Sequence, residues 1–431
     1  MPILNTLKSF IKSKRLAIKS FYFLSILFLV FISAIIMITN DYPQDASCTN
    51  TINGSTNVKS LRTFNSEDEC ENSSNDTEAL KASVASYFDE VFKSRNSSIL
   101  TGNVEDLYKY FTKSTSDGRY TLHHELKRIA YIRDWANERN ITFTNISSSP
   151  KICYVNGGPE NFNARVDEEY KFEYVYNDDP KITNEFGISL FHTLTFKKGE
   201  SSYIITKDYY LDAFEDGFKR YDFNLDENEL PLTKESIYEI NCKRTSDFPS
   251  ENKKFNRENC RDYADEYCGV TWASGNKAKY NKKYTNFTGS GGNCTNYVSQ
   301  CLANKDGGNI PTDCTWYFLE SKQEGSTAWL NAAGFKDYIL YSGKGKIIKK
   351  ADFAKALVPL ENGSTVFDNL YVGDIVSYAS DNKVVHNAII TGFDSKGYPL
   401  INSHTVDRYR VPFDLGWGDN NISFYFIHII I

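Results

Sequence analysis

The sequence predicts an α+β protein tethered to a membrane by its N-terminus, and three patterns carry that prediction. A basic tail runs straight into a long uncharged stretch. Helical spacing of apolar residues then gives way to period-two alternation between residues 77 and 245, and a similar order, helix before strand, returns from 252 to the C-terminus. At 431 residues the chain exceeds one ordinary core, which fits two folded units, 77–245 and 252–431. The net charge of −6 supplies no extended basic surface for phosphates, so nucleic acid is not an expected partner.

Lys8, Lys12, Lys14, Arg15 and Lys19 precede the uncharged run "FYFLSILFLVFISAIIMI" at 21–38. At about 1.5 Å per residue this run nearly spans a bilayer core of about 30 Å. We read 1–15 as a cytoplasmic tail and 16–38 as an uncleaved transmembrane signal anchor, because the run is longer than a signal-peptide core and no small-x-small site follows it directly. Positive charge on its N-terminal side sends the remainder out of the cytosol. Residues 39–76 are polar, rich in Asn and Ser and aperiodic, as expected of a linker that a Cys48–Cys70 bridge could close.

From Thr77 the residues Leu80, Val84, Phe88, Val91 and Phe92 form one apolar helical stripe, and helices are expected again around 103–111 and 121–138. Strands follow over 166–176, 186–196 and "SYIITKDYYL". Helices before an antiparallel sheet resemble cystatin-like and nuclear-transport-factor-like domains. His192 shares its strand face with Ile188, Leu190, Leu194 and Phe196 and reads as a core histidine; His123 and His124 read as solvated or capping residues. "DFNLDENELPLT" has carboxylates at calcium-loop spacing, but Glu227 replaces the turn glycine and Thr233 the bidentate Glu, so calcium is not expected there.

After a break at 243–254, Cys260, Ala264 and Tyr267 mark a helix, and "GDIVSYAS", "KVVHNAIITGF", "YPLINSHT" and "ISFYFIHIII" read as strands. Between them lies "GSGGNCTNYVSQC". Gly289, Gly291 and Gly292 permit a tight approach to a helix that starts at Asn293 or Cys294 and continues through Tyr297, Val298, Cys301 and Leu302. A thiolate is the reactive form of cysteine, and the free N–H groups and dipole of a helix start stabilise its charge. The Lys-Ser/Thr pair of a phosphate loop is missing. Thiolate chemistry needs a base, and His386 stands at the start of an apolar strand; a polar group to orient that base is offered by Asn402 or His404 on the next strand. If "DSKG" turns a hairpin that pairs Phe393 with Tyr398, position 405 comes opposite His386, which favours His404. Nine cysteines outside the cytosol leave at least one unpaired, and with Cys294 free the other eight could form four bridges.

"GGNCTNYVSQCL", Trp316 and Trp329, "YVGDIVSY", "VVHNAIITGFD" and "LINSHTVDRYRVPF" in this order resemble the putative amidase domain family of papain-like cysteine hydrolases, over about 252–431. The resemblance implies cysteine-dependent hydrolysis of amide bonds without a cofactor or metal, on a peptide or amide substrate, with cell-wall peptides suggested by analogy. Two departures stand out: Asn293 where the family has Asp, and an insertion in "CLANKDGGN". The rival expectation is a papain-like binding or adhesion protein without turnover.

Overall fold

The computed structural model describes residues 75–418 and 422–431, except 201, 220, 223, 226–229, 231–236, 241, 245 and 250–253. The expected tail, anchor and most of the linker lie outside these residues, and among the described residues no helix is long and apolar enough to cross a membrane.

The architecture is α+β. Helix α1 (Asn75–Thr101), a 3-10 turn at 105–109 and α2 (Ser116–Glu138) precede four strands, β1 (Ile141–Gly158), β2 (Asn161–Tyr176), β3 (Asp179–Lys198) and β4 (Tyr203–Tyr209). Thr115 caps α2 by accepting from the Gly118 N–H, which satisfies one of the open donors of its first turn. After the break come α3 (Arg257–Glu266), α4 (Cys294–Ala303) and α5 (Ala332–Tyr341). Strands β5 (Gly345–Ala351), β6 (Ile375–Ser380), β7 (Lys383–Phe393), β8 (Pro399–Ser403), β9 (Asp407–Pro412) and β10 (Ile422–Ile429) complete the chain.

These ten strands form one antiparallel sheet in the order β1-β2-β3-β9-β8-β7-β6-β10-β5, with β4 also on β3, while Phe318–Leu319 and Glu324–Gly325 pair as a separate two-stranded ribbon. The 77–245 and 252–431 segments therefore share a sheet: Gly187, Ile188 and Ser189 of β3 pair with Tyr409, Arg408 and Asp407 of β9. Side-chain alternation divides the C-terminal strands between two cores. Val376, Tyr378, Ala388, Ile390, Phe424 and Phe426 join the larger core, which also takes the apolar faces of α1 and α2. Ile375, Ile389 and Ile427 face the opposite way, into a core filled by Cys260, Tyr297, Val298, Cys301, Trp316, Trp329 and Phe335 from the segment carrying α3, α4 and α5.

His192 is fully buried as read from its strand face, with Nδ1 3.0 Å from Asp208 and Nε2 3.1 Å from Glu168. Burial opposes its charge, but the two carboxylates raise its pKa to about 9. His124 is not solvated: its ring stands edge-on to Tyr210 and Phe218.

A buried carboxylate ties the two ends of the described chain together. Asp414, in the loop after β9, accepts from Trp135 Nε1 at 2.9 Å, from Arg139 Nη2 at 2.5 Å and from the Tyr398 hydroxyl, and it has no exposed surface. The Arg139 guanidinium is itself sandwiched against Phe353 and Trp135. Breaking this buried ion pair from one side takes away the 2.5 Å partner of Arg139 and leaves it the 3.4 Å contact to Glu138, so Asp414→Ala should cost about 3 kcal/mol. Adding Arg139→Met should recover most of that loss. Urea denaturation of the three variants checks this, and an Asp414→Ala loss that Arg139→Met fails to relieve would show that the guanidinium is not the source of the cost.

Candidate active site

The loop before α4 reaches the cysteine through a backbone that only glycine adopts easily. Gly292 has φ +106°, and a β-carbon there would stand 3.2 Å from Thr405 Oγ1. Asn293 N then donates to the same Thr405 hydroxyl at 2.9 Å, and α4 begins at Cys294 with Asn293 in the N-cap position. The Asn293 side chain does not cap the helix. Its oxygen accepts from Phe287 N at 3.2 Å and Asn296 Nδ2 at 2.8 Å, and its nitrogen goes to His404. The first-turn N–H groups beside the Cys294 thiol are thus left without a side-chain acceptor from the N-cap.

One side chain docks this helix start onto the sheet. Asn387, wholly buried on β7, donates through Nδ2 to Thr295 Oγ1 and to the Ala332 carbonyl, each at 3.1 Å, and accepts from Ser377 Oγ at 2.6 Å. Cys294 and His386 are the chain neighbours of Thr295 and Asn387, so this bond brings their backbones together.

The His386 side chain takes the other face of the sheet. It sits opposite Tyr378 on β6, its ring centroid 5.3 Å from those of both Tyr378 and Trp417. The register of β6 and β7 slips between Tyr378 and Ala379, a bulge of the kind that redirects side chains at strand ends. His386 Nε2 is buried without a hydrogen-bond partner. Burial, aided by the positive charge of Arg408, holds its pKa well below the ordinary value, so the ring is neutral. No hydrogen bond joins Cys294 to His386 among the described residues; the Cys294 sulfur lies 3.7 Å from Thr295 Oγ1.

Neither expected orienter touches His386. The β7–β8 ladder pairs Phe393 with Pro399, slips after Leu400, and ends at Asn402 opposite Ile389. After Ser403 the chain turns through 404–406 and carries His404 to α4, where its ring stacks on Tyr297 with centroids 3.9 Å apart. His404 Nδ1 is 2.9 Å from Asn293 Nδ2 and Nε2 is 2.6 Å from the Tyr267 carbonyl. A carbonyl only accepts, so Nε2 carries the hydrogen and Nδ1 takes the amide of Asn293. Asn402 is bound elsewhere, accepting from Thr391 Oγ1 at 2.9 Å and Arg410 N at 2.7 Å and donating to Asp265 at 2.9 Å.

With this geometry in hand, the relationships of the chain are informative. Residues 254–427 match the putative amidase domain family. The domain is similar to uncharacterized protein YjcM of Bacillus subtilis (strain 168), 29% identical over 156 residues that cover 34% of this chain and 32% of that protein. It is also similar to uncharacterized protein YhbB of the same organism, 28% identical over 163 residues, 35% of this chain and 46% of that protein. The matched region thus spans less than half the length of either relative. No solved structure matches the chain.

The amidase-like domain contains other thiols of a different character. Cys260, Cys268 and Cys301 are fully buried and free, and burial raises the pKa of each. Cys242 is also free, its thiol pushed up to about 12 by burial. With these four and Cys294 unpaired, the four bridges that nine cysteines could form do not exist: Cys260 and Cys301 are themselves packed into the second core, where a cysteine behaves as a small apolar residue. Cys48 and Cys70 lie outside the described residues. Among the described residues no group of three or more His, Cys, Asp or Glu is arranged to hold a metal ion. Asn387 and Thr295 were missed in the sequence; the signal available was a polar residue on an otherwise apolar strand, directly after the histidine.

Burial pushes the His404 pKa from 6.5 down to about 3. The unfolded chain then binds the extra proton between those values, so His404 makes stability rise with pH across that window and be lost as pH falls. From pH 7 to pH 5 this site should remove about 2 kcal/mol. His404→Gln can accept from Asn293 and donate to the Tyr267 carbonyl without titrating. Denaturation at both pH values should show the variant losing about 2 kcal/mol less than the parent, and equal losses would contradict a neutral His404.

Proposed function

We propose that the amidase-like domain is a papain-like cysteine amidase or peptidase in which Cys294 is the nucleophile and His386 the base. The observation that carries the reading is the Asn387–Thr295 hydrogen bond, which holds the start of the cysteine helix against the start of the histidine strand. In the proposed reaction the Cys294 thiol gives its proton to the imidazole of His386, and the thiolate attacks the amide carbonyl carbon. The oxyanion is taken by the Cys294 backbone N–H, which as the first N–H of the helix has no intrahelical acceptor. The imidazolium returns the proton to the leaving amine, and water then hydrolyses the thioester.

Two observations support His386 over His404 as the base. His386 Nε2 has no partner, whereas both ring nitrogens of His404 are occupied. Proton transfer requires the His386 ring to leave the face it shares with Tyr378 and Trp417 and swing to the sulfur, a rearrangement at the strand start beside the bulge between Tyr378 and Ala379. His404 then acts on Asn293, and Asn402 on Asp265, as supports of the loop and helix. Amide-linked peptides, including those of a cell wall, are the substrate class this chemistry fits. The basic tail and apolar run at 8–38 support anchoring in a membrane with the domain outside the cytosol.

The separation of thiol and imidazole in the resting arrangement favours one rival, a binding or adhesion protein that keeps the scaffold without turnover. The two readings part in an assay. On peptide p-nitroanilides cleaved by the parent, Cys294→Ser and His386→Ala should each lower kcat/KM at least about 1,000-fold while the unfolding midpoint stays near that of the parent. Iodoacetamide should alkylate Cys294 ahead of Cys260, Cys268 and Cys301. A parent that cleaves no amide, or a Cys294→Ser variant as active as the parent, would favour the rival.

A further inference from the structure

Arg408 is a buried cation with no carboxylate in ion-pair contact among the described residues. It lies on β9, 5% exposed, directly opposite Ser403 of β8. Its Nη2 donates to the Ala213 carbonyl at 2.5 Å, and no carboxylate pairs with it among the described residues. Asp212 is engaged by Arg128 at 3.0 Å and Asp216 by Lys219 at 2.6 Å. Burying a guanidinium without an anion is costly, and native structures rarely leave it so.

Three further polar atoms nearby are buried and unpartnered as well. Arg408 Nε, Ser403 Oγ, Trp417 Nε1 and His386 Nε2 all lack a hydrogen-bond partner. They share one neighbourhood: the Arg408 guanidinium is 5.7 Å from the Trp417 ring, the His386 ring is 5.3 Å from the same ring, and Ser403 faces Arg408 across the strands. Trp417 is held in place by stacking on Tyr378 at 4.4 Å, while the residue before it, Gly416, is pinned by the Tyr131 hydroxyl at 2.8 Å. A β-carbon on Gly416 would stand 2.1 Å from the Ala213 carbonyl, so this loop can seat only glycine there. The loop is therefore positioned, and although the four polar atoms are themselves buried, His386 and Trp417 keep 8% and 7% of their residue surface exposed beside them.

A guanidinium N–H, an indole N–H and a hydroxyl in one neighbourhood can serve as the donor set for a planar oxyanion. We propose that Arg408, Trp417, Ser403 and His386 form a receptor for a carboxylate group, and that the amide substrate brings this carboxylate. The substrate half rests on the Cys294 and His386 reading, whereas the receptor half does not. A carboxylate docked here would place the substrate against the proposed base and compensate the Arg408 charge. The substrate class is then narrowed to amides that carry a free carboxylate.

Equilibrium dialysis of the full chain against radiolabelled acetate at neutral pH tests the receptor. One saturable site is expected, weakened about tenfold or more by Arg408→Gln and several-fold by Trp417→Phe and Ser403→Ala, each of which removes only a donor. Cys294→Ser should bind acetate as the parent does, so an inert thiol and an absent receptor are told apart. No saturable uptake, or uptake that all three donor variants leave unchanged, would overturn the receptor. Acetate should also inhibit peptide p-nitroanilide cleavage competitively; binding without competition would assign the receptor to a free carboxylate and overturn the substrate half.

Discussion

The site depends on one buried carboxamide. Asn387 has no exposed surface, and its hydrogen bonds reach a strand through Ser377, the cysteine helix through Thr295 and helix α5 through Ala332. A buried amide is costly unless its donors and acceptor are used, and here both kinds are used. That full satisfaction sets the helix start at one height on the sheet. A strand residue of the opposite parity would turn an apolar side chain to Thr295, and the helix could slide. The placement of Cys294 beside β7 is thus a consequence of hydrogen-bond accounting as much as of apolar packing.

The N-terminal segment is more than an appendage to this site. It extends the same sheet through β3 and β9, and its helix α2 supplies Trp135 and Arg139 to the Asp414 carboxylate. The loop held by Asp414 also carries Trp417, which covers His386. A second buried network lies inside the segment itself, where Arg95 makes a double hydrogen bond to Glu125 while His192 bridges Asp208 and Glu168. Here two cations are set among three carboxylates within the core. Arg408 differs because no carboxylate among the described residues pairs with it, and it stands where the two segments meet.

Much of this was legible in the sequence, for reasons that differ from element to element. The helix at Cys294 follows from glycines before it and apolar spacing after it, and local signals of that kind need no tertiary information. Strands β6, β7, β8 and β10 were visible as apolar alternation. The hairpin register was nearly right, since the slip after Leu400 restores the expected alignment at Asn402 and Ile389. What could not be read was where the chain goes once the ladder ends: the turn after Ser403 takes His404 to Asn293 instead of to His386. The shared sheet was equally hidden, because pairing of Ile188 with Arg408 joins residues more than two hundred positions apart and leaves no local trace. Asn293, noted as a departure from the family, gains a physical account: an aspartate there could not donate to the Nδ1 of a neutral His404.

The most direct test of cysteine-dependent hydrolysis is to trap the covalent intermediate. The full chain would be mixed with a peptide p-nitroanilide that it cleaves, quenched in acid during turnover, and examined by intact-mass and peptide mass spectrometry. The account predicts an added acyl mass carried as a thioester on the peptide containing Cys294 and absent from Cys294→Ser. Cleavage that proceeds with no acylated Cys294, or an acyl group found on another residue, would contradict it.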